Sequence, residues 1–225
     1  MNTIKIIAVN AHQMGVKGVF GLIFAALLAG CSALPEPPPR ATIYDFGPGA
    51  VQAVAVQPGA PLAPLVLLDV GGAVAAEGSS ALLYRLAYAN AQQLRPYGQA
   101  RWSQPPAALL QQALRERLGR ERIVLFANQA AVQQPDQGRL PSVLRVQLEE
   151  FSQVFSSAKD SAGVVRLRAV LADAGMTGET LVAQRLFTAQ RPAVSADAAG
   201  GARALAEASA QLADELAAWV QQQGR

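Results

Sequence analysis

From Ser142 to Phe155, and again from Val164 to Ala172, polar and apolar residues alternate, and that alternation constrains the fold more than any other feature. Leu144, Val146 and Leu148 alternate with Arg145, Gln147 and Glu149; Val165, Leu167, Ala169 and Leu171 alternate with Arg166 and Arg168. A period of two sends successive side chains to opposite faces, so each run reads as a strand with one buried and one wet side. The stretch SSAKDSAG (156–163) is a turn between them, and Gly175 to Gly178 starts another that leads to a third strand over Leu181 to Phe187. Such a meander has an apolar face that must be covered. Leu205, Leu212, Leu216 and Trp219 share one helical face in an alanine-rich segment running to about Gln222, and they supply the cover.

The preceding half adds shorter elements. Thr42 to Phe46 reads as a strand ended by Gly47, Pro48 and Gly49, and Leu65 to Val70 as a strand apolar on both faces. Ala81 to Ala87 is another, with Leu83 and Arg85 on one side and Leu82, Tyr84 and Leu86 on the other. Pro105 and Pro106 open a helix, with Ser103 as its expected cap and Gly119 as its stop; Leu110, Leu114 and Leu118 fall on one face. Arg122 to Phe126 returns as a strand. The expected fold class is α/β: a two-layer sandwich in which a mixed sheet with a C-terminal antiparallel meander carries two main helices. It fills one domain, 42–225.

The N-terminal segment is of another kind. Val19 to Leu28 (VFGLIFAALL) is apolar, preceded by Lys5 and Lys17 and followed by Ala29, Gly30 and Cys31, the only cysteine. Charge, apolar run and small residues in this order read as a secretory leader, 1–30, which a start at Met14 would carry in more compact form. At about 1.5 Å per residue the run spans about half of a ~30 Å hydrocarbon core, too little for a permanent span. Leu28-Ala29-Gly30-Cys31 resembles the lipobox of bacterial lipoproteins. The resemblance implies recognition of Leu28, Ala29 and Gly30 by the signal peptidase, cleavage before Cys31, and acylation of the Cys31 sulfur with palmitate-type chains, enough to moor a protein stably. Ser32 to Ala41 carries four prolines and reads as an extended tether.

Composition excludes several chemistries. Loss of 1–30 removes Lys5, Lys17 and the single histidine, His12, leaving 17 cations against 16 acids. Nothing in that balance marks a nucleic-acid partner. With no histidine and no free thiol, catalytic triads and zinc sites built on His or Cys are unavailable to the mature chain, and no enzyme activity, metal or cofactor is expected. Glu149 and Glu150, adjacent on a strand, are expected on opposite faces and so cannot act as an acid–base pair. Gly47 to Gln52 lacks the third glycine of a dinucleotide loop, and Gly78-Ser79-Ser80 is no nucleophile elbow. Arg166 and Arg168, with Arg145 on the neighbouring strand, form either a basic patch or a face balanced by Glu149.

One stretch is more specific. In Leu82 to Gly119, Tyr84-Arg85, Tyr97, Arg101-Trp102, Pro105-Pro106 and a leucine-rich helix follow in an order that resembles the ABC-type transport auxiliary lipoprotein family. The resemblance implies a non-catalytic, lipid-anchored periplasmic accessory of a system that moves lipids across the envelope and supports membrane integrity. Its partners would be a mammalian-cell-entry (MCE) domain protein, an ABC ATPase and a permease, and assembly into a homo-oligomeric ring is implied as well. Tyr84, Arg85, Tyr97, Arg101, Trp102, Pro105 and Pro106 serve either partner contact or packing. Ser32 is not the aspartate that retains lipoproteins in the inner membrane, so the outer membrane is the expected address. A second reading is an envelope-assembly lipoprotein with a chaperone-like role.

Overall fold

The computed structural model describes residues 40–48, 62–72, 79–126, 140–175 and 177–225. Its elements, in chain order, are β1 (Thr42–Tyr44), β2 (Leu62–Leu67), β3 (Gly71–Gly72), β4 (Ala81–Leu86), α1 (Ala87–Asn90), β5 (Ala91–Trp102), α2 (Pro106–Leu118), β6 (Arg122–Leu125), β7 (Ser142–Phe155), β8 (Ser161–Gly175), β9 (Gly178–Pro192) and α3 (Ala198–Gln222). Among the described residues the nine strands form one mixed sheet. The α/β two-layer architecture expected from the sequence is the one observed.

β7 is the hub of the sheet. One edge pairs antiparallel with β8 from Ser142↔Asp173 to Phe155↔Ser161, and β8 pairs in turn with β9. The other edge is shared by three short strands, all parallel to β7: Leu65–Leu67 against Ser142–Leu144, Gly71–Gly72 against Gln147–Leu148, and Tyr84–Leu86 against Gln153–Phe155. β5 lies antiparallel to β4, β1 parallel to β5, and β6 parallel to β2.

A bulge in β7 resets its side-chain parity. Leu148 pairs with Leu167 and Glu150 with Arg166, so Glu149 is an extra residue with no counterpart on β8. One inserted residue exchanges the two faces of everything beyond it. Hence the apolar positions facing the helices are Leu144, Val146 and Leu148 before the bulge and Phe151 and Phe155 after it, with Val143 buried on the other face, while β8 keeps a single parity there through Val165, Leu167, Ala169 and Leu171.

α3 covers the meander with Leu205, Leu212, Leu216 and Trp219, all buried; the Trp219 ring meets Phe187 of β9 edge-on at 5.6 Å. The helix lies so close to β8 that a Cβ on Gly163 would stand 2.6 Å from the backbone of Ala204 and Leu205. α3 begins before the first apolar position that the periodicity marks. Its cap is Asp197, whose Oδ1 accepts from the Gly200 amide at 2.8 Å and from the Ser195 hydroxyl at 2.7 Å. Gly200 and Gly201, poor helix formers, conceal this first turn in the sequence.

α2 buries Leu110, Leu114 and Leu118 as expected, but Ser103 is not its cap. Pro105 holds that position, accepting at its carbonyl from Ala108 and Leu109, while Ser103 bonds to Asp45 and to the Tyr44 carbonyl. The strand expected over Leu65 to Val70 is shifted to Leu62–Leu67. β5 has no counterpart in the periodicity, because Pro96 and Gly98 interrupt it. No described helix is long and apolar enough to cross a membrane.

Candidate functional site

The motif residues of the β4–β5 region are held by β7. Arg85 donates from Nε and Nη2 to the two carboxylate oxygens of Glu150 at 3.4 and 3.1 Å, and from Nη1 to the carbonyls of Ala91 and Gln92 at 3.3 and 3.4 Å. Glu150 also accepts from Ser152 at 2.6 Å. One guanidinium thereby fastens the short helix α1 and both strands flanking it to the central strand, using charge-assisted bonds with both partners partly shielded from water.

Behind that clasp lies a partly buried polar chain. Leu83 pairs with Pro96 but Ala81 with Arg101, so residues 97–100 bulge opposite Leu82 alone. The bulge turns Tyr97 inward. Its hydroxyl donates to Gln153 Oε1 at 2.8 Å, and Gln153 Nε2 donates to the Ser161 hydroxyl at 2.8 Å. Gln153 is fully buried and rests where a Cβ on Gly201 would collide with its amide, so a side chain there is incompatible with the chain of bonds. Tyr84 packs on Tyr97 with ring centroids 4.6 Å apart and on Phe155 at 5.9 Å. Burial, and then the neighbouring Tyr84, Asp197 and Tyr44, push the Tyr97 hydroxyl up to about 12. It remains a proton donor and not a base.

Trp102 is 2 % exposed and sits edge-on to Phe46 at 5.6 Å and to Phe151 at 5.5 Å. Pro105 and Pro106 start α2, whereas Arg101 is exposed and forms no ion pair among the described residues. Six of the seven motif residues are thus brought into packing or hydrogen-bonded positions, with Arg101 left facing solvent. Leu28, Ala29, Gly30 and Cys31 lie outside the described residues.

The sheet face opposite the helices carries paired charges. Glu149 accepts from Arg166 at 3.2 Å and from Arg168 at 2.8 Å, and Arg145 makes two bonds to Glu179 at 2.5 and 2.7 Å. Of the two readings of these arginines, the balanced face is the observed one. Glu149 and Glu150 do not lie on opposite faces: the bulge brings both to arginines of the same face, Glu149 to Arg166 and Arg168, Glu150 to Arg85.

Between α2, α3 and the segment 45–48 lies a groove of about 390 Å³. Phe46, Leu109 and Ala210 give it apolar walls, and Glu116, Arg120 and Asp214 a charged rim. Arg117 of α2 bridges to α3 through Asp214 at 2.5 Å and also pairs with Glu121, just beyond the end of α2, at 3.0 Å. No cluster of three or more metal-ligating side chains occurs among the described residues. The motif residues, the charged face and the groove offer surfaces for docking. The Ser152 hydroxyl lies beside the Glu150 carboxylate, but that carboxylate is held by Arg85. Glu150 and Gln153, on which the motif residues depend, escape sequence reasoning because only the bulge at Glu149 gives them their faces.

A family model described as "ABC-type transport auxiliary lipoprotein component" matches residues 48–217. Protein XCC0632 from Xanthomonas campestris, a DUF330-family protein, has a crystal structure similar to this chain. The two are 23 % identical, with a TM-score of 0.65 over 82 % of this chain and 97 % of that one. The crystal structure of an uncharacterized protein, 15 % identical, superposes with a TM-score of 0.55 over 81 % of this chain and 99 % of the other. Hypothetical protein CT253 from Chlamydia trachomatis, 14 % identical, gives 0.44 over 71 % and 95 %. For the first two structures, at these identities, the likeness concerns the fold alone. Curated proteins give no match.

Proposed function

Because the chain belongs to the ABC-type transport auxiliary lipoprotein family, we propose that it is the non-catalytic, lipid-anchored accessory of an MCE-type ABC system that moves lipids across the cell envelope. In this reading residues 1–30 are a removed leader, Cys31 carries the acyl chains, and 31–41 is a proline-rich tether. The domain over 42–225 then docks on the MCE protein that works with the ATPase and permease. Ser32 supports an outer-membrane anchor facing the periplasm.

The observation that carries the reading is the family match over 48–217, spanning nearly the whole described domain. The geometry agrees with a mechanical role. The acids at the heart of the motif region are engaged by arginines, and the Tyr97 hydroxyl, held up near 12, is unsuited to proton abstraction at neutral pH. A docking module needs a rigid body with an addressable surface, and the charged face and the α2–α3 groove are such surfaces.

The test is affinity capture of the full chain from native membranes after brief crosslinking. The expected result is recovery of an MCE-domain protein together with the ATPase or permease. Recovery of a single outer-membrane assembly client in their place would support the chaperone-like reading and overturn this one.

A further inference from the structure

Among the described residues β9 pairs with β8 alone, so one of its sides is open along fifteen residues, Gly178–Pro192. The strands at the other ends of the sheet, β1 and β6, are three and four residues long. An antiparallel strand turns about half of its amides and carbonyls away from its partner, and β9 therefore presents a row of backbone donors and acceptors. Natural sheets blunt such an edge with lysine, proline or short length. β9 carries no lysine, and its one proline is its last residue. It also exposes two large apolar side chains, Leu181 at 64 % and Leu186 at 47 %.

Those two leucines share a face only because β9 is irregular between them. Ala183 pairs with Leu171 but Leu181 with Ala172, so Val182 is an extra residue with no counterpart on β8. In a regular strand a separation of five sends side chains to opposite faces. With the insertion both leucines stand on the face away from the helices, Leu186 opposite Arg168 and Leu181 opposite Ala172, while Val182 and Ala183 pack toward the core.

This arrangement is complementary to itself. When a second β9 lies antiparallel with Gln184 opposite its own copy, Ala183 of each strand meets Arg185 of the other. One step on, past the extra residue, Leu186 of each strand meets Leu181 of the other, so all four exposed leucines are paired. Arg185, which lies over the ring of Phe187 at 4.9 Å, faces an alanine, and Glu179, already held by Arg145, faces Thr188. A register centred one residue later sets Arg185 against Arg185 and both leucines against polar side chains, Leu186 against Gln184 and Leu181 against Thr188. Like charges directly opposite are destabilising, so the first register is the favoured one.

We propose that β9 is a self-pairing edge, through which two copies of this chain join antiparallel about Gln184 into one continuous sheet. Such a contact closes at two copies. It goes beyond the docking role proposed above and stands without it.

The test is cysteine crosslinking of the full chain in native membranes under copper–phenanthroline oxidation. Opposed residues of an antiparallel pair have Cα atoms about 4.5–5.5 Å apart, within the range that a disulfide spans. Gln184→Cys is expected to give a linked dimer, mapped by mass spectrometry to a peptide joined at residue 184 on both sides. Thr188→Cys, four residues from the axis, is held roughly 27 Å from its twin at about 3.4 Å per residue and is expected to stay unlinked. Adding Leu186→Lys to Gln184→Cys should weaken the dimer about tenfold. All three positions are exposed, so the variants are expected to fold. No link at 184, which is also the result if a strand of another protein occupies the edge, would overturn the pairing. So would equal linking at 188, or a dimer indifferent to Leu186→Lys.

Discussion

The two edges of β7 present the same backbone groups to their neighbours, yet one is closed by a single long partner and the other by three fragments drawn from a stretch of more than twenty residues. β8 follows β7 through one turn and pairs along its whole length. β2, β3 and β4 pair in parallel with successive thirds of it, and parallel pairing requires distant chain to be brought back. The first edge lies under α3 and is locked by apolar burial. The second buries Leu65, Leu67 and Leu82 in the same core and is fastened in addition by polar devices, the Arg85–Glu150 clasp and the Tyr97–Gln153–Ser161 chain. The difference teaches where this fold is fixed and where it is adjustable: the β7–β8–β9–α3 half is a platform, and the β4–β5 half is attached to it.

The largest effect is expected on the platform. Leu167→Ala removes a fully buried side chain from β8 and should cost about 3 kcal/mol in denaturant unfolding. A cost below about 1 kcal/mol would break the distinction between the edges. Next is a pair of glycine substitutions. Gly163→Val drives a side chain into the backbone of α3 and should destabilise by about 1–3 kcal/mol, whereas a Cβ on Gly98 in β5 meets nothing within 4 Å. Gly98→Ala should therefore stay within about 0.5 kcal/mol of the wild type.

Glu150→Gln should cost about 1–2 kcal/mol, and hydrogen exchange should locate the loss. Amides of β4 and β5 are expected to exchange faster while those of β7 and β8 keep their rates; uniform acceleration would mean that the clasp belongs to the global fold. Asp197→Ala removes the α3 cap and should cost about 1 kcal/mol by thermal unfolding.

The smallest effect is a pH dependence. Two bonds from Arg145 hold the Glu179 carboxyl below its ordinary value of 4.5. A folded-state pKa that lies below the unfolded one contributes stability above the unfolded value, and this is lost as pH falls through the folded value. Both groups are partly exposed, so the contribution should be under about 1 kcal/mol at neutral pH. The stability difference between wild type and Glu179→Gln should shrink to nothing in acid. A difference that grew as pH fell would contradict the pairing.

The platform is also the legible part of the sequence. Alternation in β8 and the spacing of Leu205, Leu212, Leu216 and Trp219 report burial directly, because each element presents a single face to a single neighbour. The attached half is less legible for a physical reason. β5 carries Pro96 and Gly98 and bulges over residues 97–100, so its pattern has no period to read. The bulge at Glu149 is invisible in a run that otherwise alternates, yet it decides which face Glu150 and Gln153 adopt. The order of Tyr84-Arg85, Tyr97, Arg101-Trp102 and Pro105-Pro106 was enough to mark the region and its family, but not the residues that hold it.

All of this gives the chain a rigid body and surfaces to present, and its proposed work depends on where that body is moored. Intact-mass analysis of the protein purified from native membranes tests this most directly. The account predicts a chain that begins at Cys31 and carries the added mass of acyl chains on that residue. An unmodified Cys31, or a chain still bearing the leader, would contradict it.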